Sequence, residues 1–292
     1  MFLLGFFVFW GAVLYTAYFY IAYRPRKIVG DVVLITGGGS GIGRLMAHKF
    51  AARGATIVLW DVNKDGMEKV KGEVTAKGGK CSSYVVDVTD REKVYATAKA
   101  VGKVDILVNN AGIVTGKSIL DCPDALMEKT VQVNTISHFW TIKAFLPGML
   151  ERNSGHVVTI ASAAGLNGVA GLVDYCASKF GAVGTGEALY MEMRKRNANV
   201  RCTTVCPYYI NTGMFEGAKT KFDFLLPILD EKYVADRIVL ATVRGEEVLC
   251  MPYLVSIARM IKCLPATWQL HVGNFLGVSD SMDDFKGRAG QQ

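Results

Sequence analysis

Short apolar runs with polar or glycine ends recur along this chain, and they alternate with longer amphipathic segments. Asp31–Thr36, Thr56–Asp61, Cys81–Val86 and Asp105–Asn109 have the length and continuity of buried strands. Val157-Val-Thr-Ile-Ala161, the run that carries Cys202 and Cys206, and Val248-Leu-Cys-Met-Pro252 read as three more. The stretches 44–53, 63–77, 90–101, 125–150 and 175–196 read as helices. Asn63 suits an N-cap, and Gly78-Gly79 stops the helix that begins there. Strands separated by helices predict an α/β fold: a single Rossmann-type doubly wound parallel sheet with helices on both faces.

The first residues break this pattern. Phe2 to Tyr23 holds no charged residue, and at about 22 residues it is long enough to span a bilayer. Arg24, Arg26 and Lys27 follow at once, and no basic leader or small-residue cleavage site is evident. These features predict an uncleaved N-terminal membrane-anchor helix over 1–23 and a basic juxtamembrane linker over 24–30. A catalytic domain follows over 31–252, and an apolar helix with a polar tail over 253–292. The positive-inside rule sets the domain in the cytosol. A buried core helix and a shallow monotopic insertion are the alternatives. Tyr253 to Leu264, apolar apart from Arg259 and Lys262, suits an interfacial helix or a buried one. The charged tail from Ser279 onward is expected to fray.

Composition adds exclusions. The net charge of +7 comes from scattered basic residues plus the juxtamembrane group, a pattern that suits anionic lipid and not nucleic acid. Seven cysteines without a C-x-x-C pair indicate free thiols in a reducing compartment. Cys202 and Cys206 are expected in the core. The histidines His48, His138, His156 and His271 have no ligand spacing, so no metal is expected.

Two stretches carry chemistry. Gly37-Gly-Gly-Ser-Gly41-Ile-Gly43 lies between a strand and a helix, the setting in which small residues admit a pyrophosphate and a helix N-terminus binds it. The spacing is T-G-x-x-x-G-x-G. Asp61 ends the next strand, about 20 residues on, where an acid hydrogen-bonds the adenosine ribose and repels a 2′-phosphate. No basic residue stands at Gly38, Gly39 or Ser40. NAD(H) is therefore expected, with NADP(H) as the runner-up, since Lys64 could soften the preference. The second stretch holds Tyr175 and Lys179, which are one helical turn apart on one face. A lysine ammonium lowers a nearby phenol pKa, which makes the pair a tunable proton donor and acceptor. Ser162, at the end of an apolar run, is placed to bond the same substrate oxygen. A solvated surface Tyr–Lys pair is the bland alternative.

Thr36-Gly-Gly-Gly-Ser-Gly-Ile-Gly43, Asp87-Val88, Asn109-Asn-Ala-Gly112, Asn134, Ser162, Tyr175-x-x-x-Lys179 and Pro207…Thr212 occur in the order of the short-chain dehydrogenase/reductase family, which the chain resembles from about Asp31 to Pro252. Val58-Leu-Trp-Asp61, His138-Phe-Trp-Thr-Ile-Lys-Ala-Phe-Leu-Pro147 and Asn211-Thr-Gly-Met214 narrow the resemblance. They look like the membrane-associated subgroup that includes epidermal retinol dehydrogenase, short-chain dehydrogenase/reductase 3 and the lipid-droplet 17β-hydroxysteroid dehydrogenases. The resemblance implies that Tyr175 is the general acid/base and that Lys179 tunes it and holds the nicotinamide ribose. It implies that Ser162 orients the substrate oxygen and that Asn134 holds a relay water. It assigns the cofactor to Thr36, Gly37, Ser40, Gly41, Ile42, Gly43, Asp61, Asp87, Val88, Asn109, Ala111, Gly112, Tyr175, Lys179, Pro207 and Thr212.

Two departures stand out. Tyr208 follows Pro207 where glycine is common in the family, which implies a reshaped pocket wall. The segment from Tyr95 to Asp105 is short by roughly one helical turn, which puts the helix before the fourth strand in doubt. On the substrate side, 212–229 is an apolar lid that suits a lipophilic alcohol. The resemblance also implies a homodimer paired through the two long helices. The reading is a membrane-anchored oxidoreductase that moves a hydride between NAD(H) and a lipophilic alcohol or carbonyl of the retinol/retinal or hydroxysteroid/ketosteroid class. Its expected site is the endoplasmic reticulum membrane or a lipid droplet. An NADPH-dependent carbonyl reductase and a lipid-droplet or reticulum scaffold with incidental catalysis are the rivals.

Overall fold

The expected strands pair into a single sheet: β1 (Val32–Thr36), β2 (Thr56–Asp61), β3 (Lys80–Val85), β4 (Ile106–Asn109), β5 (Gly155–Ile160), β6 (Val200–Pro207) and β7 (Val248–Met251). Their order is β3-β2-β1-β4-β5-β6-β7, and every neighbouring pair is parallel. The arrangement comes from a computed structural model that describes residues 25–287 together with Trp10, Gly11, Val13, Leu14 and Ala17. The predicted anchor over 1–23 lies for the most part outside the described residues. Among the described residues no helix is long and apolar enough to cross a membrane.

The period-two alternation of each strand supplies two cores. Val33, Ile35, Ile57, Leu59, Ile106 and Val108 point to one face, where α1 (Gly41–Ala51), α2 (Lys64–Ala76) and α7 (Glu231–Arg244) cover them. Leu34, Val58, Trp60 and Leu107 point to the other, under α3 (Arg91–Val101), α5 (Ser137–Glu151) and α6 (Val173–Lys195). Each buried aliphatic or aromatic side chain here contributes about 1.5–3 kcal/mol. Cys202 and Cys206 are in the core, as expected. The sheet grows outward one way through β1–β3 and the other way through β4–β7. That reversal leaves a crevice at the carboxyl ends of β1 and β4, the place where such sheets bind ligands.

Several elements differ from expectation. The doubted helix before β4 is present as α3: Asp90 caps it by accepting from the Lys93 N–H, and Gly102 ends it at φ 73°. The single helix expected over 125–150 is α4 (Asp124–Val131), a π turn over Gln132–Ile136, and α5. A π turn adds one residue to the winding and commonly marks a functional site; here it carries Asn134, which is fully buried. No element is predicted for 230–245, where α7 (Glu231–Arg244) forms with Asp230 as N-cap and Gly245 as left-handed C-cap. Beyond β7 stand α8 (Leu254–Ile261) and α9 (Ala266–Leu276). The described part of the tail expected to fray, residues 279–287, packs instead. Ser281 and Met282 are buried, because Met282 and Phe285 join an apolar cluster that the polar majority of the tail conceals in the sequence.

Candidate active site

The crevice is a cleft of about 460 Å³. The turn after β1 forms its floor. Gly37 has φ +64°, a left-handed conformation that favours glycine, and a Cβ on Gly43 would overlap the Gly37 carbonyl oxygen. The turn therefore closes tightly enough to bring the first turn of α1 to the cleft. Ser40 does not cap that helix with its side chain, and helix geometry leaves the leading N–H groups without intrahelical acceptors. Gly37, Ser40, Gly41, Ile42 and Gly43 all line the cleft.

Asp61 closes one end. Its carboxylate accepts from the Gly39 N–H and the Asn63 N–H, both at 2.9 Å. A Cβ on Gly39 would stand 3.1 Å from its Oδ2, so the glycine is what lets the acid sit against the turn. Arg44, the basic residue nearest the glycines in α1, is taken up by a two-point ion pair with Glu73 at 2.8 and 2.9 Å. His48 joins the same carboxylate. Asp87, Val88, Ala111, Gly112, Pro207 and Thr212 also line the cleft. Asp87 accepts from the backbone and hydroxyl of Thr89, which fixes the turn after β3.

Three predicted residues stand behind the cleft wall. The Thr36 hydroxyl accepts from the Asn110 and Ala111 N–H groups and donates to the Val108 carbonyl. Asn109 accepts from Thr141 at 2.7 Å and ties β4 to α5. Asn134 accepts from the Ile113 N–H and donates to the Ile113 carbonyl and the Ser178 hydroxyl, each at 2.9 Å. These contacts hold the loop after β4 and α6 in register. Asn110, within the Asn109–Gly112 motif, lines the cleft and donates to the Thr36 and Gly37 carbonyls, bonds that the sequence does not signal. Which of two adjacent asparagines faces the cleft depends on where the strand stops.

At the opposite end, Tyr175 and Lys179 occupy one buried face of α6, each 4% exposed. That removes the reading of a surface pair. Lys179 Nζ lies 5.7 Å from the Tyr175 ring centroid and donates to the Ile160 carbonyl at 2.9 Å. Burial holds its ammonium down at about 8. Burial also pushes the Tyr175 phenol up, and a hydrogen bond from Ser162 acts against that rise. The net direction for the Tyr175 phenol is therefore upward and set by burial. Desolvation of the phenol outweighs an ammonium that lies beside the ring and is bonded elsewhere. Ser162 caps a short 3-10 turn, where its Oγ accepts from the Ala164 N–H at 3.1 Å and its own proton is left to donate. A Cβ on Gly112 would stand 3.3 Å from Asn134 Oδ1 and 3.6 Å from Lys179 Nζ, so both approach the cleft past that glycine.

A second cavity of about 400 Å³ adjoins the first, and Ser162, Tyr175, Tyr208 and Phe215 line both. Leu225, Leu226, Leu254, Ile261 and Leu270 make it apolar. Phe215 packs edge-on to Tyr175, with ring centroids 5.6 Å apart. The two cavities thus meet at the Tyr175 phenol and the Ser162 hydroxyl, and Lys179 lines the first of them only. The first offers an elongated cleft with a helix N-terminus near one acid, a set of residues that fits a nicotinamide dinucleotide.

Comparison with known proteins agrees with this geometry. Residues 31–222 match the short chain dehydrogenase family. The chain is 47% identical to human epidermal retinol dehydrogenase 2 over 270 residues, which cover 90% of this chain and 87% of that protein. It is 41% identical to retinol dehydrogenase 10 of Rattus norvegicus, covering 97% and 93%. Among solved structures, a short chain dehydrogenase/reductase from Burkholderia phymatum in complex with NAD superimposes with a TM-score of 0.73 at 26% identity, over 81% of this chain and 94% of that one. A metagenomic short-chain oxidoreductase in complex with NADP superimposes with a TM-score of 0.67 at 27% identity, over 77% and 98%.

Proposed function

This chain belongs to the short chain dehydrogenase family and is an NAD(P)-dependent alcohol dehydrogenase, and on that premise we propose that it moves a hydride between NAD(H) and a lipophilic alcohol or carbonyl of the retinoid or hydroxysteroid class. The observation that carries the substrate class is the apolar cavity that meets Tyr175 and Ser162. Its volume falls in the range of small-molecule sites, and its lining offers an elongated hydrocarbon few polar partners away from the reacting oxygen. The names of the relatives support a retinoid over a steroid.

In this reading the dinucleotide supplies or accepts the hydride. Tyr175 gives the proton to the substrate oxygen in reduction and removes it in oxidation. Ser162 donates a hydrogen bond to the same oxygen and fixes its distance from the phenol. Lys179, one helical turn from Tyr175, provides the positive charge that favours the phenolate during proton transfer. Asn134 keeps the Ile113 loop and α6 aligned around that lysine, and its relay through a bound water is part of the proposal. The first-turn N–H groups of α1 hold the pyrophosphate, and Asp61 takes the adenosine ribose, which supports NAD(H) over NADP(H).

The setting is a membrane or lipid-droplet surface facing the cytosol. Ile257, Met260 and Leu264 are exposed around α8, and Trp268, Leu270 and Phe275 on α9. Arg259 and Lys262 stand among them, the mixture that suits an anionic lipid interface. Because α8 and α9 also wall the apolar cavity, this surface would deliver a lipid-soluble substrate directly to its mouth. The homodimer is supported by Phe139 on α5 and Phe180 on α6, large apolar side chains about 40% exposed on the two long helices.

The test is coenzyme-fluorescence turnover by the membrane-bound full-length protein. NAD and NADP are run in parallel against retinols, hydroxysteroids and long-chain alcohols, with Tyr175→Phe as the blank. NAD-linked oxidation of retinol that vanishes in the blank is expected. Undiminished turnover in the blank would remove Tyr175 from the chemistry.

A further inference from the structure

The last described residues do not trail away from the domain. They cross the loop that follows β6 as a series of turns: the Lys219 N–H donates to the Ser281 carbonyl at 2.9 Å, and the Lys286 N–H to the Glu216 carbonyl at 2.8 Å. Lys219 and Asp284 form an ion pair beside them. The Ser281 and Tyr209 hydroxyls are hydrogen-bonded at 2.9 Å.

Three glycines from three separate loops form the seat. A Cβ on Gly116, in the loop after β4, would overlap the Phe285 ring, and one on Gly217 would overlap the Asp284 carbonyl. A Cβ on Gly171, just before α6, would touch Met282 at 3.6 Å. All three have positive φ, between 64° and 90°, so each loop turns its side-chain-free face to the tail. From this seat Phe285 packs on Phe215 at 6.3 Å, and Phe215 packs on Tyr175 at 5.6 Å and on Tyr209 at 5.1 Å. Phe285 does not line either cavity, whereas Phe215 lines both.

We infer that the C-terminal segment 281–287 is part of the frame of the active site, and that Phe285 is a positioning residue that holds Phe215 edge-on against the ring of Tyr175. The inference rests on Tyr175 being the acid/base. A tyrosine must present its hydroxyl at a fixed point, and misplacement by an ångström is costly to rate. The Tyr175 backbone is fixed by α6, but its ring can still rotate and tilt. Phe215 limits that motion and Phe285 in turn limits Phe215. The segment that looks least ordered in the sequence thereby governs the geometry of the proton transfer. Loss of this support acts on the chemical step and leaves coenzyme binding alone.

The experiment measures kcat, KM and coenzyme Kd for the full-length membrane-bound protein carrying Phe285→Ala, Phe285→Leu or Gly116→Val, with Tyr175→Phe in parallel. Phe285→Ala is expected to lower kcat about tenfold, the scale one aromatic pair commands, with NADH Kd changed less than about twofold on that scale. Phe285→Leu restores most of the rate, because it refills the seat. Gly116→Val reproduces the loss from the opposite side by expelling the ring. Wild-type kcat in Phe285→Ala, with Tyr175→Phe inactive, would overturn this inference alone. Full activity in Tyr175→Phe would overturn the acid/base reading instead. A fall in coenzyme affinity and melting temperature that matches the fall in kcat, without rescue by leucine, would show the tail to be general scaffold and would also overturn it.

Discussion

Replacing Asp61 by asparagine keeps the side chain's shape and removes its charge. Asp61 Oδ1 and Oδ2 each accept one backbone N–H at 2.9 Å, from Asn63 and Gly39. Asparagine keeps one acceptor oxygen and presents an NH₂ to the other N–H, so one of the two bonds is lost. A hydrogen bond to a charged group contributes about 1.5–3 kcal/mol, which sets the scale of the weakened grip on the turn. The larger consequence concerns the coenzyme. Two unit charges about 5 Å apart repel by about 1–3 kcal/mol at an effective dielectric of 80 to 20, and this carboxylate would oppose a ribose 2′-phosphate on that scale. A phosphate carrying close to two charges roughly doubles that. Wild-type enzyme should therefore prefer NAD over NADP by roughly 30- to 25,000-fold in kcat/KM, and Asp61→Asn should close most of the gap. Arg44 does not compensate, because Glu73 holds it. The assay is kcat/KM with each coenzyme at saturating alcohol, in low salt to limit screening. A wild-type preference for NADP, or a ratio unmoved by Asp61→Asn, would refute the assignment of this acid to the ribose.

Other outcomes follow from the same geometry. Gly43→Ala drives a Cβ into the Gly37 carbonyl oxygen, so coenzyme Kd should rise at least about tenfold while far-UV circular dichroism stays native; unchanged affinity would mean the turn can open without cost. Asn134→Ala removes three hydrogen bonds at 2.9 Å and leaves buried groups unpaired, so stability should fall by about 2–4 kcal/mol in urea unfolding, together with kcat. His138 and His156 are fully buried, and burial lowers both to about 3, against an ordinary value near 6.5. Their folded pKa lies below the unfolded one, so stability is complete above about pH 6.5 and falls as pH drops toward 3. Urea titrations between pH 6.5 and 4 should show a slope that approaches two protons from this pair, and a flat profile would mean that water reaches the rings. Glu73 is lowered to about 2, first by Arg44, so the Glu73→Gln variant should lose stability at neutral pH and show a shallower acid limb between about pH 4.5 and 2. Glutamate charging Met260 and Trp268, which are 71% and 63% exposed on α8 and α9, should reduce vesicle binding of the described domain without lowering its melting temperature.

The chain's own pattern determined the sheet and most of the cleft. Alternating apolar runs leave a parallel sheet few arrangements, and the glycine turn, Asp61, Ser162, Tyr175 and Lys179 fall at fixed distances from strand and helix ends. Local geometry sets each at a strand or helix end, and the parallel sheet brings those ends to one edge. Decisions made between distant segments are not legible in that way. The π turn that buries Asn134 depends on the Ile113 loop 21 residues away. The choice of Asn110 over Asn109 for the cleft depends on where β4 ends against Thr36 and Thr141. The upward shift of the Tyr175 phenol comes from walls supplied by Phe215 and its neighbours, whereas the i, i+4 spacing to Lys179 suggests the opposite. The tail shows the limit most clearly. Its seven residues from Ser281 to Gly287 contain four charged or hydroxylated side chains besides Met282 and Phe285, and a local reading finds no reason for order. Order comes from glycines at 116, 171 and 217, whose positive φ and missing Cβ atoms make room only after three loops have been brought side by side. Desolvation and steric fit are properties of the assembled surroundings, so only the tertiary structure could set them.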